Sequence, residues 1–119
     1  MNDVQVTPGA ITILPSGDNF VISIVNNTNF LYVFRARISN ASNYTLMPSI
    51  GFAGRNTTTN INVLRHSGEP STDRMIICFA RTTTFAVNDI QMAQELLPPD
   101  DNGAFFRIVE VDATEEEDI

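Results

Sequence analysis

The 119-residue sequence predicts an all-β fold, an antiparallel β-sandwich of about seven short strands with one short helix. Three observations carry this. Apolar and polar residues alternate along short runs, the period of a half-buried strand. Clusters of Asn, Asp, Gly, Pro and Ser break the runs about every eight to twelve residues. Only one segment combines a helix start with a helix stop.

The elements follow in order. VQVT and ITIL are split by Pro8-Gly9, which suits an edge strand that changes sheets at the break. PSGDN is a turn. FVISIV places Phe20, Ile22 and Ile24 on one face. NNTN turns the chain into LYVFRARI, where Tyr32, Phe34, Ala36 and Ile38 face one way and Arg35 and Arg37 the other. A polar break, Ser39 to Asn43, precedes a short strand from Tyr44 to Met47, and Pro48 stops it. GFAGRNTTTN reads as loop. INVLR turns Ile61 and Val63 inward, HSGEPSTD turns the chain, and MIICFA is a buried strand with Met75, Ile77 and Phe79 on one face. NDIQMAQELLPP offers Asn88 as N-cap with Gln91 three residues on, and Pro98-Pro99 ends two or three helical turns. FFRIVEV is the last strand. Phe34, Tyr44, Ile77 and Phe79 are expected to meet between the sheets.

The charge is unevenly placed. Residues 1–99 hold six acids and six arginines and sum to zero, whereas residues 100–119 hold eight acids and Arg107, giving the whole net charge of −7. The chain therefore reads as one domain over residues 1–111, neutral through residue 99, and an acidic, disordered tail over 112–119. A nucleic-acid partner is disfavoured, because phosphate binding draws on a basic excess. No apolar run reaches the roughly 20 residues of a membrane helix, and the first residues lack the basic and apolar regions of a secretory signal. The single cysteine, Cys78, excludes an internal disulfide and sits in an apolar strand, the setting of a buried inert thiol in a reducing cytoplasm. Four Asn-x-Ser/Thr triplets, at Asn26, Asn40, Asn43 and Asn56, read as Asn/Thr-rich loops.

Catalytic chemistry finds little to stand on. The one histidine, His66, lies beside a turn with no metal-like spacing to Cys78. There is no Gly-rich phosphate loop and no nucleophile elbow. Lysine is absent, which excludes Schiff-base chemistry. The sequence points to a protein that is not an enzyme and needs no cofactor or metal.

An ordered series of residues resembles the major sperm protein (MSP) domain family, in particular its small, nematode sperm-specific MSP-domain-like members. It comprises Pro15, Gly17 and Asn26; Phe34, Arg35, Arg37, Ser39 and Asn40; Tyr44, Pro48, Gly51 and Phe52; then Arg65, Gly68, Pro70 and Asp73. The resemblance implies a seven-stranded immunoglobulin-like (MSP/PapD-like) sandwich in which the third strand leaves its sheet at the polar break. It also implies a cytoplasmic, cytoskeleton-associated protein of the sperm pseudopod, non-enzymatic and tied to filament assembly and amoeboid motility. The implied partners are MSP or other MSP-domain proteins, a second copy in a homodimer among them. The alternative it implies is an adaptor: membrane-anchored relatives bind acidic peptides with two aromatics on a basic face, and that face resembles Arg35, Arg37, Arg74 and Ile76 here. Their Thr-Thr-x-Pro loop is replaced by Ile38-Ser39-Asn40-Ala41. The tail residues Asp112, Glu115, Glu116 and Glu117 offer this face an acidic contact within the chain, since Asp112-Ala113-Thr114-Glu115 resembles half of the peptide those relatives recognise.

Overall fold

Two sheets face each other across one apolar core. The structure, a computed structural model, describes residues 3–82 and 104–114. Within them the strands are β1 (Val4–Thr7), β2 (Ala10–Ile13), β3 (Asp18–Asn26), β4 (Leu31–Ile38), β5 (Tyr44–Met47), β6 (Ile50–Ala53), β7 (Thr57–Arg65), β8 (Ser71–Thr82) and β9 (Phe105–Ala113). The first sheet has the order β1-β3-β7-β5 and the second the order β2-β9-β8-β4-β6. All pairs are antiparallel except β2 with β9. The all-β sandwich is thus as the sequence predicts.

Both expected sheet switches are present. β1 and β2, on either side of Pro8-Gly9, belong to different sheets. So do β4 and β5, on either side of the polar break, which holds a 3-10 turn over Ala41–Asn43. Prolines stand at the first switch and after the second, and the Thr7-Pro8 and Met47-Pro48 bonds are cis. The first switch turns one predicted edge strand into two. This is one reason why nine strands are described where the sequence suggested about seven.

The other reason is a correction. GFAGRNTTTN is not a loop: its first residues form β6 and its last residues open β7. β6 crosses the Phe34 ring closely enough that a Cβ on Gly51 would lie 3.1 Å from it. Glycine therefore stands where strand propensity alone would place a larger residue. A second correction concerns the tail boundary. β9 continues through Ala113 because Val109, Val111 and Ala113 alternate into the core and β2 pairs alongside, Thr12 opposite Asp112. Asp112 is a strand residue and not part of a tail. The helix expected from Asn88 to Pro99, and Glu115, Glu116 and Glu117, lie outside the described residues.

The core forms from the inward positions the alternation assigns. Ile22 and Ile24, Phe34 and Ala36, Ile61 and Val63, and Met75, Ile77 and Phe79 are all buried. Tyr44 joins them with 6% exposure, so the four residues expected to meet belong to one cluster. Phe105 meets Tyr32 edge-to-face and stacks on Phe79, with ring centroids 5.4 and 5.0 Å apart respectively.

Candidate protein-binding face

The outward positions of the second sheet hold the predicted basic residues. Arg37 lies opposite Ile76 and Arg35 opposite Cys78 across the β4–β8 ladder. Residues opposite one another in an antiparallel pair share a face. Arg74, two residues before Ile76, shares that face and lies opposite Glu110 on β9. The structure therefore brings Arg35, Arg37, Arg74 and Ile76 together on adjacent strands. Arg74 is answered: its Nε donates to Glu110 Oε1 at 3.0 Å, in a half-exposed pair. Such a pair contributes only about 0–1 kcal/mol and yields to salt.

Between the charges lies an apolar strip that sequence reading missed. Val33 and Cys78 are buried although they point away from the core. Ile50, Phe52, Ile76 and Ala80 pack against them, and Ile108 and Phe106 continue the strip across β9 with 38% and 37% exposure. Parity could have found it, since Val33 and Cys78 alternate with inward residues, but the neighbourhood needs β6, which read as loop. Burial pushes the Cys78 thiol up from its ordinary value, and the positive charges of Arg37 and Arg35 oppose the shift. The thiol stays protonated at neutral pH, the inert state expected for it.

Beneath one end of this face a buried polar network joins the sheets. Arg65 and Asp73 are 1% and 5% exposed, with Nη1 and Oδ2 3.6 Å apart. Tyr44 Oη donates to Asp73 Oδ2 at 2.7 Å and accepts from Arg65 Nη1 at 2.9 Å. Ser71 Oγ donates to the same carboxylate oxygen at 2.6 Å, and Arg65 Nη2 donates to the Glu69 carbonyl at 2.6 Å. Ser39 Oγ reaches Asp73 Oδ1 at 3.3 Å and accepts the Arg74 backbone N–H at 2.9 Å. Every charge-bearing group is thus answered, which a buried ion pair requires. Burial raises the Tyr44 pKa above its ordinary value, and its hydrogen bond to Asp73 adds to the shift. The network fixes where β4 ends and β5 begins, and so sets the rim of the arginine face.

Asn26 performs a similar service at the other end. It is fully buried, its Nδ2 donates to the Phe30, Ala53 and Gly54 carbonyls, and its Oδ1 accepts from the Thr28 N–H and hydroxyl. The Asn26 triplet is accordingly a strand-end pin rather than a loop, and its amide has no access for modification. His66 Nε2 pairs with Thr45 Oγ1 at 2.7 Å on the exposed surface. Among the described residues no helix is long and apolar enough to cross a membrane, and no cluster of three or more His, Cys, Asp or Glu could hold a metal ion.

A two-sheet sandwich whose chain changes sheets between β1 and β2 and again between β4 and β5 is of the PapD/MSP-like class of β-sandwich. In sequence and fold the chain is similar to MSP-domain proteins of a nematode. It is 26% identical over 92 residues to sperm-specific class P protein 16 of Caenorhabditis elegans, a match covering 77% of this chain and 84% of that one. The fold matches that of SSP-19, an MSP-domain-protein-like family member of Caenorhabditis elegans, with a TM-score of 0.79 and 24% identity over 93% of this chain and 99% of that one. It also matches WR4, an MSP family member of the same nematode, with a TM-score of 0.81 and 18% identity over 96% of this chain and all of that one (100%). No family model matches the chain.

Proposed function

We propose that this chain is a non-enzymatic interaction protein of nematode sperm that works on the MSP cytoskeleton, binding MSP-domain partners and altering filament assembly. The carrying observation is the outer face of the second sheet, an apolar strip of Phe52, Ile76, Phe106 and Ile108 beside Arg35, Arg37 and Arg74. A strip of this kind suits a protein partner, since exposed apolar surface bordered by charge is what protein interfaces cover. The likeness to sperm-specific class P protein 16 supports the setting. The test is light scattering during MSP filament assembly, with and without the chain. The expected result is a changed assembly rate that Arg37→Glu reduces. An unchanged rate at equimolar chain sinks the cytoskeletal reading.

A second reading has its own observation. Three arginines share one face, and Ile76 lies among them. That arrangement suits an acidic peptide carrying aromatic side chains, which makes the chain an adaptor. Titration with acidic diaromatic peptides should show binding that weakens with salt and is lost in Arg37→Ala. Binding indifferent to both salt and substitution rejects it.

A further inference from the structure

Charge on the outer face of the second sheet is sorted by strand. Arg35 and Arg37 stand on β4, Glu110 and Asp112 on β9, and β8 runs between them. The ladders set the spacing. Arg35 lies opposite Cys78, Ile76 is two residues away on β8, and Glu110 lies opposite Arg74, two residues further. Arg35, Ile76 and Glu110 therefore fall on one diagonal. Its ends are about 10 Å apart across the strands and about 13 Å apart along them, or about 16 Å in all. Arg37 and Ile108 lie on either side of Ile76 in the same row. Where the diagonal reaches β9, a shallow hollow of about 280 Å³ opens between Thr12, Thr72, Glu110 and Asp112.

We infer that this face recognises an extended segment of another protein with graded charge. An acid lies over Arg35 and Arg37, an apolar side chain over Ile76 and Ile108, and a lysine or arginine over Glu110 and Asp112. Charge complementarity selects this occupant. A uniformly acidic segment is attracted at β4 but meets two carboxylates at β9. The arginine between them is engaged, since Arg74 Nε donates to Glu110 Oε1 at 3.0 Å. A uniformly basic segment meets the reverse order. Only a graded segment is attracted at both ends.

The acidic end has capacity for a cation. The Glu110 side chain is 49% exposed, and a carboxylate accepts several donors, so a partner's cation can join Arg74 on it. Asp112 Oδ1 accepts the Thr72 hydroxyl at 3.2 Å, a neutral contact that leaves its charge in place. The length also fits. An extended segment turns every second side chain to one side, so an acid, an apolar residue and a base at positions i, i+2 and i+4 span about 14 Å. The reach of the charged side chains covers the remainder. This inference rests on the reading of the face as a protein-binding surface and adds the charge order of what it binds.

Fluorescence anisotropy with two labelled peptides on the full chain tests it. Both carry a central Phe. The graded peptide has Glu two residues before it and Lys two residues after, and the acidic peptide has Glu at both places. Wild type should bind the graded peptide up to about five-fold tighter, the span of one exposed ion pair. Glu110→Gln should weaken the graded peptide and, by releasing Arg74, tighten the acidic one, so that the preference disappears. Asp112→Asn should reduce it. Arg35→Gln should weaken both peptides. Asp3→Asn, at the start of the first sheet, changes net charge as Glu110→Gln does and should leave the preference intact. Equal or tighter binding of the acidic peptide by wild type overturns the inference while the face remains a binding surface. So does a preference that survives Glu110→Gln, or one that Asp3→Asn erases as fully. If neither peptide binds wild type, the protein-binding reading falls and the inference falls with it.

Discussion

Tyr44, Arg65 and Asp73 show how much a few side chains decide in this molecule. Arg65 continues the inward parity of Ile61 and Val63, and Asp73 precedes the inward series Met75, Ile77 and Phe79. Two opposite charges at inward positions of different sheets must find each other or cost several kcal/mol each. They pair, and Tyr44 bridges them. Asp73→Asn leaves the buried guanidinium without its counter-ion and should destabilise the fold by about 3–5 kcal/mol in urea unfolding. Tyr44→Phe leaves a carboxylate short of one donor and should cost about 1–3 kcal/mol. The phenol also carries a pH dependence. Its folded-state pKa is raised above 10.0, so the fold favours the protonated form. That contribution is complete below the unfolded value near 10 and disappears as pH rises through the folded value. Wild-type stability should fall as pH rises above about 10, and Tyr44→Phe should remove part of that fall. An equal alkaline loss in both proteins would place its origin elsewhere.

Among the elements, β4 and β8 hold the molecule together. They lie side by side within the second sheet, and each presents alternate residues to the core and to the arginine face. A slip of one residue would exchange Phe34 and Phe79 for Arg35 and Cys78, so the register is strongly held. Phe79 packs on Phe34, Tyr32 and Phe105 and has no exposed surface. Phe79→Ala should therefore cost about 3–5 kcal/mol, the loss usual for a truncated core aromatic. A loss below about 1 kcal/mol, the range of surface positions, would contradict its place in the core. The element reading was accurate where alternation was strong and failed at β6. There Gly51 lies within a four-residue strand and Gly54 follows it, and no period can be established over so few residues. What makes β6 a strand is the open edge of β4 beside it, with Phe52 opposite Val33.

For the whole molecule, charge is the organising quantity. Basic and acidic residues line the outer face of the second sheet, the outward strand positions of the first sheet carry none among the described residues, and Glu115, Glu116, Glu117 and Asp118 follow β9 in the sequence. Strand β9 now places the tail origin after Ala113, three ladder positions from the Arg74–Glu110 pair. Removing residues 115–119 takes away four acids and changes the net charge from −7 to −3. The expected outcome is an unchanged melting temperature together with tighter, still salt-sensitive binding of acidic peptides, because a tethered acidic segment competes at high effective concentration. If amide shifts of Arg35, Arg37 and Arg74 are identical in full-length and truncated protein at low salt, the tail makes no contact with the face.

Alternation by itself determined which residues point inward, and with it the sandwich class, the core of Phe34, Tyr44, Ile77 and Phe79, and the common facing of Arg35 and Arg37. These are local properties: period-two geometry projects each side chain to a known side of its own strand. The polar break and Pro48 likewise announced a sheet switch, because a proline cannot continue a ladder. Which strands are neighbours was decided only by tertiary structure. The Arg74–Glu110 pair, the apolar strip completed by β6, the Arg65–Asp73–Tyr44 bridge and the diagonal of Arg35, Ile76 and Glu110 each unite residues distant in sequence. Their meeting depends on sheet order and register, and those follow from how the two inward faces bury each other rather than from any single strand.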